Sequence, residues 1–208
     1  MDKVVVEVGL LLNEDVDFYD AIIKKAGGVN QFNCETHDLY WTNKKFDELA
    51  QMTENQIKMA CVRLRTSNGF GGNCFSGDFF PHMSFDNVNI FDKKLEDRFK
   101  CNENQKNKFI KKLEESGWYL ILDTFKVDYQ YSIGDMKSRI QLQEIDNIGL
   151  VLYYDNPDYY NYELQVQRDS LIEELNSYGF NFDKREQGID KIRTLLFGYP
   201  CFSDNQNG

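Results

Sequence analysis

The chain of 208 residues carries 24 Lys and Arg against 34 Asp and Glu, a formal net charge of −10, with 41% hydrophobic and 28% charged residues. That acidic balance excludes a nucleic-acid backbone as the main partner, since such binding runs on Lys and Arg displacing counter-ions. The length and apolar content predict one soluble globular domain over residues 1–202 and a disordered tail over 203–208.

The first apolar run, Val4 to Leu12, contains Glu7 and is too short to span a bilayer, so it reads as a first strand and no membrane partner is expected. Asn13-Glu14-Asp15 then caps a helix with Phe18, Ala21 and Ile22 on its apolar face, ended by Gly27-Gly28. A second strand is predicted from Phe32 to Trp41 and a short helix from Lys44 to Gln51. Thr53-Glu54-Asn55-Gln56 has capping-box spacing but leads at once into Lys58-Met59-Ala60-Cys61-Val62-Arg63-Leu64-Arg65, which reads as a strand. Side chains alternate across a strand, so Ala60, Val62 and Leu64 share one face while Arg63 and Arg65 share the other.

From Ser67 to Phe91 glycines alternate with aromatics; the P-loop spacing is absent, and the stretch reads as a long loop with one irregular strand. Asn104 to Ser116 is a helix with Phe109, Ile110 and Leu113 at helical spacing and Gly117 as its left-handed stop. Strands follow over Trp118 to Ser132, Lys137 to Ile145 and Gly149 to Asp155, the last two joined as a hairpin by the turn-like Asp146-Asn147-Ile148-Gly149. A long helix from Tyr160 to Tyr178 and a short one from Ile189 to Phe197 complete the chain.

The chemistry is legible in the polar strand faces. Thr124, Lys126 and Asp128 oppose Phe125, Val127 and Tyr129, and Arg139 opposes Ile140, so Arg63, Arg65, Lys126 and Arg139 are expected on the side not packed on helices. Turned toward one another in a closed sheet, these four line a cationic lumen suited to phosphate oxygens, which makes a phosphorylated small molecule the expected partner. Glu7 and Asp155 are the candidate ligands for Mg²⁺ or Mn²⁺, with Asp38 and Asp128 as further carboxylates. Neither His37 nor His82 has a partner at metal-site spacing, and no nucleophile motif such as GxSxG occurs. Cys34, Cys61, Cys74, Cys101 and Cys201 form no CxxC pair and read as free thiols of a reducing, cytoplasmic interior.

The order of these pieces resembles the CYTH family of triphosphate tunnel enzymes, which includes class IV adenylyl cyclases and thiamine triphosphatases. Asp38-Leu39-Tyr40-Trp41 is similar to that family's Asp-x-Tyr-aromatic strand, Val62-Arg63-Leu64-Arg65 to its Arg-x-Arg strand, and Ser138 to Asp155 to its hairpin. The resemblance covers about Val4 to Tyr178. It implies an α+β fold, an antiparallel β-barrel with helices packed outside, in which basic side chains bind a triphosphate and carboxylates hold the metal. This chain keeps the cationic half of the pattern better than the acidic half. The family's opening Glu-x-Glu-x-Lys reads Val5-Val6-Glu7-Val8-Gly9, its hairpin aspartate is Gln143, and its closing Glu-x-Glu is Tyr153-Tyr154-Asp155. The expectation is therefore a phosphate-binding relative, a metal-dependent triphosphate hydrolase or cyclase with impaired activity. The alternative is a non-catalytic module whose barrel is re-lined by Tyr129, Gln141, Gln143 and Tyr153 to take a less charged ligand or a protein segment.

Overall fold

The computed structural model describes residues 8–70, 80–84, 98–100, 103–134, 138–183 and 188–202. Its elements in chain order are β1 (Val8–Leu11), α1 (Val16–Lys25), β2 (Val29–Thr42), α2 (Phe46–Leu49), α3 (Glu54–Met59), β3 (Cys61–Phe70), β4 (Phe80–Ser84), β5 (Arg98–Lys100), α4 (Glu103–Glu115), β6 (Tyr119–Ile133), β7 (Ser138–Ile145), β8 (Gly149–Asp155), α5 (Leu164–Ser177) and α6 (Lys191–Phe197). The strand order is β1-β8-β7-β6-β2-β3-β4-β5, and the registered ladders are antiparallel. The protein is thus α+β, as the sequence predicts. Among the described residues the order stays open at β1 and β5, two short edge strands, so hydrogen bonding does not close the expected barrel. No described helix is long and apolar enough to cross a membrane. The predicted tail over 203–208 and Glu7 lie outside the described residues.

The chain groups into two compact units, the first from Met1–Asn33, Val127–Ile189 and Phe202–Gly208, the second from Cys34–Lys126 and Asp190–Cys201. In the first, Leu10, Ile140, Leu142, Leu152 and Tyr154 from β1, β7 and β8 pack with Tyr19 and Ile23 of α1 and Leu171 and Leu175 of α5. The cap of α1 is the predicted one, Asp15 Oδ1 accepting from the Phe18 amide at 2.9 Å. Its buried face is a step away from the prediction. Tyr19 and Ile23 are covered and Phe18 is 50% exposed, because the Tyr19 ring stacks on Phe180 at 5.8 Å and draws that side of the helix inward.

The helix stop is closed by two backbone bonds, Gly28 N–H to Ile23 carbonyl at 2.8 Å and Gly27 N–H to Lys24 carbonyl at 3.0 Å. A Cβ on Gly28 would stand 2.8 Å from that Ile23 oxygen and 2.3 Å from its Cγ2. Gly28→Ala is therefore expected to cost about 1–3 kcal/mol by overpacking. In thermal melts followed by circular dichroism this is a fall of roughly 2–12 °C. An unchanged melting temperature would mean the turn has room for a methyl group.

The second unit has two cores on opposite faces of the same strands. On one, Leu39, Trp41, Val62 and Leu64 pack against Phe109 and Leu113 of α4, as the helical spacing predicts. On the other, Tyr40, Cys61 and Leu122 pack with Leu49, Ile57 and Ile192 from α2, α3 and α6. The capping box is real: Thr53 Oγ1 accepts from the Gln56 amide and Gln56 Oε1 from the Thr53 amide. Lys58 and Met59 consequently belong to α3, and the arginine strand starts at Cys61 rather than Lys58.

The faces of β6 also differ from expectation. Thr124, Lys126 and Asp128 are buried, while Phe125 is 53% exposed and stacks on His37 at 3.9 Å, which also meets Asp123 at 2.6 Å. Leu122 shares the side of Lys126, and its burial beneath α3 and α6 turns that side inward. Within the stretch 67–91, β4 pairs with β3 in the register Arg63 to Ser84 and Arg65 to His82. The three-residue β5 adds a strand that the sequence reading did not anticipate.

Candidate anion site

Alternation places Asp38 and Tyr40 of β2, Arg63 and Arg65 of β3 and Lys126 of β6 on the side of the second unit that carries Cys61 and Leu122. At the centre is Asp38, 1% exposed. The Arg65 guanidinium forks onto it, Nε to Oδ1 and Nη2 to Oδ2, both at 2.6 Å. Burial pushes the Asp38 pKa up, but the bonds and charge of Arg65 and the charges of Arg63 and Lys126 outweigh it and hold the carboxyl below its usual value. Arg63, Arg65 and Lys126, chosen from sequence as phosphate ligands, thus all act on one buried carboxylate. Burial, and after it the Asp38 charge, pushes the Tyr40 hydroxyl up to about 12, although a hydrogen bond and positive charge from Arg63 oppose the rise.

Lys191, the first residue of α6, joins this group and was missed by sequence reasoning. It is partly buried as a residue. Desolvation of its amine, followed by the Lys126 charge and in lesser degree that of Arg65, pushes the pKa down to about 7 against the pull of Asp38 and Glu54. Asp38 therefore feels Arg63, Arg65 and Lys126, and Lys191 feels both Asp38 and Glu54.

Asp190, 4% exposed, caps α6 through the Arg193 amide at 3.5 Å. Burial first, then the neighbouring Glu54, raises its pKa to about 7 against the opposing Arg193. A carboxyl whose folded pKa is raised from 3.8 to about 7 favours folding while protonated, and that contribution is lost as pH rises through this window. Asparagine keeps the cap without the charge. Asp190→Asn is therefore expected to melt a few degrees above the wild type at pH 8, with the difference vanishing near pH 4; an equal gain at both pH values would refute the titration.

The other predicted residues lie in the first unit. Arg139 is exposed and stands opposite Asp155 in the β7–β8 register. Asp155 accepts from the Tyr160 hydroxyl at 2.6 Å. On the same strand face Gln141 Nε2 donates to the buried Asp128 Oδ1 at 3.0 Å, and Gln143 is buried with its Oε1 unpartnered among the described residues. Tyr153 pairs with Gly9 and covers it so closely that a Cβ there would lie 2.9 Å from the ring. Gly9 and the Tyr153 ring that covers it thus stand where the resemblance implies a lysine and a glutamate.

Asp155 is the predicted metal ligand that can be located, since Glu7 is outside the described residues. Among the described residues no group of three or more His, Cys, Asp or Glu side chains could hold a metal ion. Asp38 is engaged by Arg65 and Asp128 by Gln141.

No family model and no curated protein matches this chain. Its fold is similar to that of the PH1819 protein of Pyrococcus horikoshii, with 17% identity, a TM-score of 0.52 and coverage of 88% of this chain and 94% of that one. The PH1012 protein of the same organism follows at 14% identity and a TM-score of 0.51, covering 86% of this chain and 92% of that one. A candidate adenylate cyclase from Vibrio parahaemolyticus stands lower, with 15% identity, a TM-score of 0.46 and coverage of 83% and 87%. At such identities the first two likenesses are of fold, and they extend over nearly the whole of each chain.

Proposed function

We propose that this chain, of the CYTH triphosphate-tunnel type in fold, binds a phosphorylated small molecule, a triphosphate or a nucleotide, on Arg63, Arg65, Lys126 and Lys191 of its second unit. The observation that carries this reading is the fork of Arg65 on the buried carboxylate of Asp38, with Arg63, Lys126 and Lys191 in the same electrostatic neighbourhood. Arg65 is tethered to Asp38, which holds its charge in place without side-chain entropy left to lose, while Arg63 and Lys126 add point and fork donors beside it. Arg139 lies in the other unit and is not needed for the proposed site.

Turnover of a triphosphate needs the phosphate charge neutralised and the reacting oxygens aligned. The cationic group supplies the first. Gln143 and Tyr153 stand where the resemblance implies carboxylates, so the proposed protein is a binder with impaired hydrolase or cyclase activity. The ring of Tyr153 over Gly9 favours a second reading, a module whose first unit takes a less charged ligand or a protein segment. Cys61 and Cys201 are free thiols, which suits the proposed cytoplasmic location.

Calorimetric titration of the full chain with tripolyphosphate and with ATP tests the reading. Binding that weakens as salt rises is expected. A phosphate-release assay over nucleoside triphosphates, thiamine triphosphate and tripolyphosphate with Mn²⁺ present should show slow turnover or none. Absence of tripolyphosphate binding at low salt would sink the proposal; rapid turnover would sink its non-catalytic half.

A further inference from the structure

The polar face of the β7–β8 hairpin buries a group that its own neighbours do not satisfy. The register sets Gln141 opposite Tyr153 and Gln143 opposite Val151, with Gly9 and Leu11 of β1 continuing the same two rows. Alternation turns these side chains away from the face on which α1 and α5 pack. Gln143 is nonetheless only 6% exposed, and Val151 across from it is fully buried. The Gln143 Oε1 atom has no hydrogen-bond partner among the described residues. A buried carbonyl oxygen left unpaired opposes folding, so its retention calls for a reason.

The surroundings define what would pair with it. Val151 offers an apolar wall, and Gln141 is fixed by its bond to Asp128 at 3.0 Å. Tyr153 presents a part-exposed ring seated on Gly9, where a Cβ would lie 2.9 Å from it. An amide oxygen beside an apolar side chain and an aromatic ring calls for an N–H donor on a flat, uncharged molecule. An anion would be repelled by that oxygen, and a cation would give up its hydration for a neutral partner.

We infer that this face of the first unit binds an uncharged heterocycle carrying an exocyclic amino group, whose N–H donates to Gln143 Oε1 while the ring lies against Tyr153. The inference rests on the second reading above, a first unit that takes a less charged ligand, and supplies that ligand's chemistry. Exchanging the amino group for an oxo group turns a donor into an acceptor with little change of shape. The face should therefore tell such molecules apart.

Cytidine with uridine and adenosine with inosine are the probes, because each pair exchanges an amino for an oxo group at one ring carbon. None carries a phosphate, so their binding does not report on the anion site. Ligand-observed NMR titration of the full chain should find the amino member of each pair bound at least about tenfold more tightly, since with the oxo member two carbonyl oxygens face each other and the buried one stays unpaired. Gln143→Met keeps the volume and removes the acceptor. It should bring the members of each pair within about threefold of one another while melting no lower than the wild type, because no polar atom is then left unpaired. A merely structural Gln143 would move the melting temperature and leave the preference alone. Equal affinities within a pair, a preference for the oxo member, or a preference that survives Gln143→Met would overturn the inference while the second reading stands. Binding of none of the four would overturn the inference and count against a small-molecule form of that reading.

Discussion

Asp38→Ala is expected to lower stability by about 3–5 kcal/mol, because it leaves the Arg65 guanidinium without its buried partner and facing Arg63 and Lys126. For a chain of this size the fall in melting temperature is roughly 6–20 °C. Removing both partners, as in Asp38→Ala with Arg65→Met, should recover most of the loss, since it is the unpaired charge that is costly. The dependence on pH has a definite sign. The folded pKa of Asp38 lies below its ordinary 3.8, so its contribution is full above about pH 4 and is lost as pH falls through the folded value. Wild type and Asp38→Ala should therefore draw together as the pH of the melts is lowered below about 4. Tripolyphosphate should raise the melting temperature of Asp38→Ala more than that of wild type, because the added anion replaces the missing carboxylate. If Asp38→Ala melts like wild type at pH 7, the carboxylate is not the centre of the cationic group.

Arg63→Ala combined with Lys126→Ala should weaken tripolyphosphate binding at least about 100-fold, taking roughly 1.5–3 kcal/mol for each charge-assisted contact. This pair is a better test than one including Arg65, whose removal would expose Asp38 as an unpaired buried charge and confuse binding with folding. Arg139→Ala, an exposed residue of the first unit, is expected to cost about threefold or less, the scale of a screened surface charge. Calorimetry with matched melting curves checks both. Equal losses in the two variants would place the anion across different residues from those proposed. An unchanged affinity in Arg63→Ala with Lys126→Ala would leave the re-lined module as the better account.

Much of this architecture can be read along the chain because it is written in short repeats. The helix carrying Phe109 and Leu113 and the β7–β8 hairpin appear where their periodicity and turn residues put them. Asn147 takes a positive φ of 63° and Gly149 one of 107°, the conformations for which those residue types are suited. By contrast, the capping box at Thr53 has the right spacing but could be believed only once α3 was seen to end before Cys61. β5, three residues long, offers too little alternation to be noticed.

Local patterns settle which residues alternate on β2, β3 and β6, where chains turn, and that arginines and a lysine lie opposite apolar neighbours, because these depend on atoms a few residues apart. They leave undecided which side is covered. Phe125 faces outward and Lys126 inward because α3 and α6 bury Leu122, a contact between segments far apart in sequence. Arg65 meets Asp38 across 27 positions, Gly9 yields to the ring of Tyr153, and Lys191 enters the cationic group from the C-terminal helix. Nothing in the spacing of those residues announces such meetings, since charge and shape complementarity act through space once the strands have been aligned.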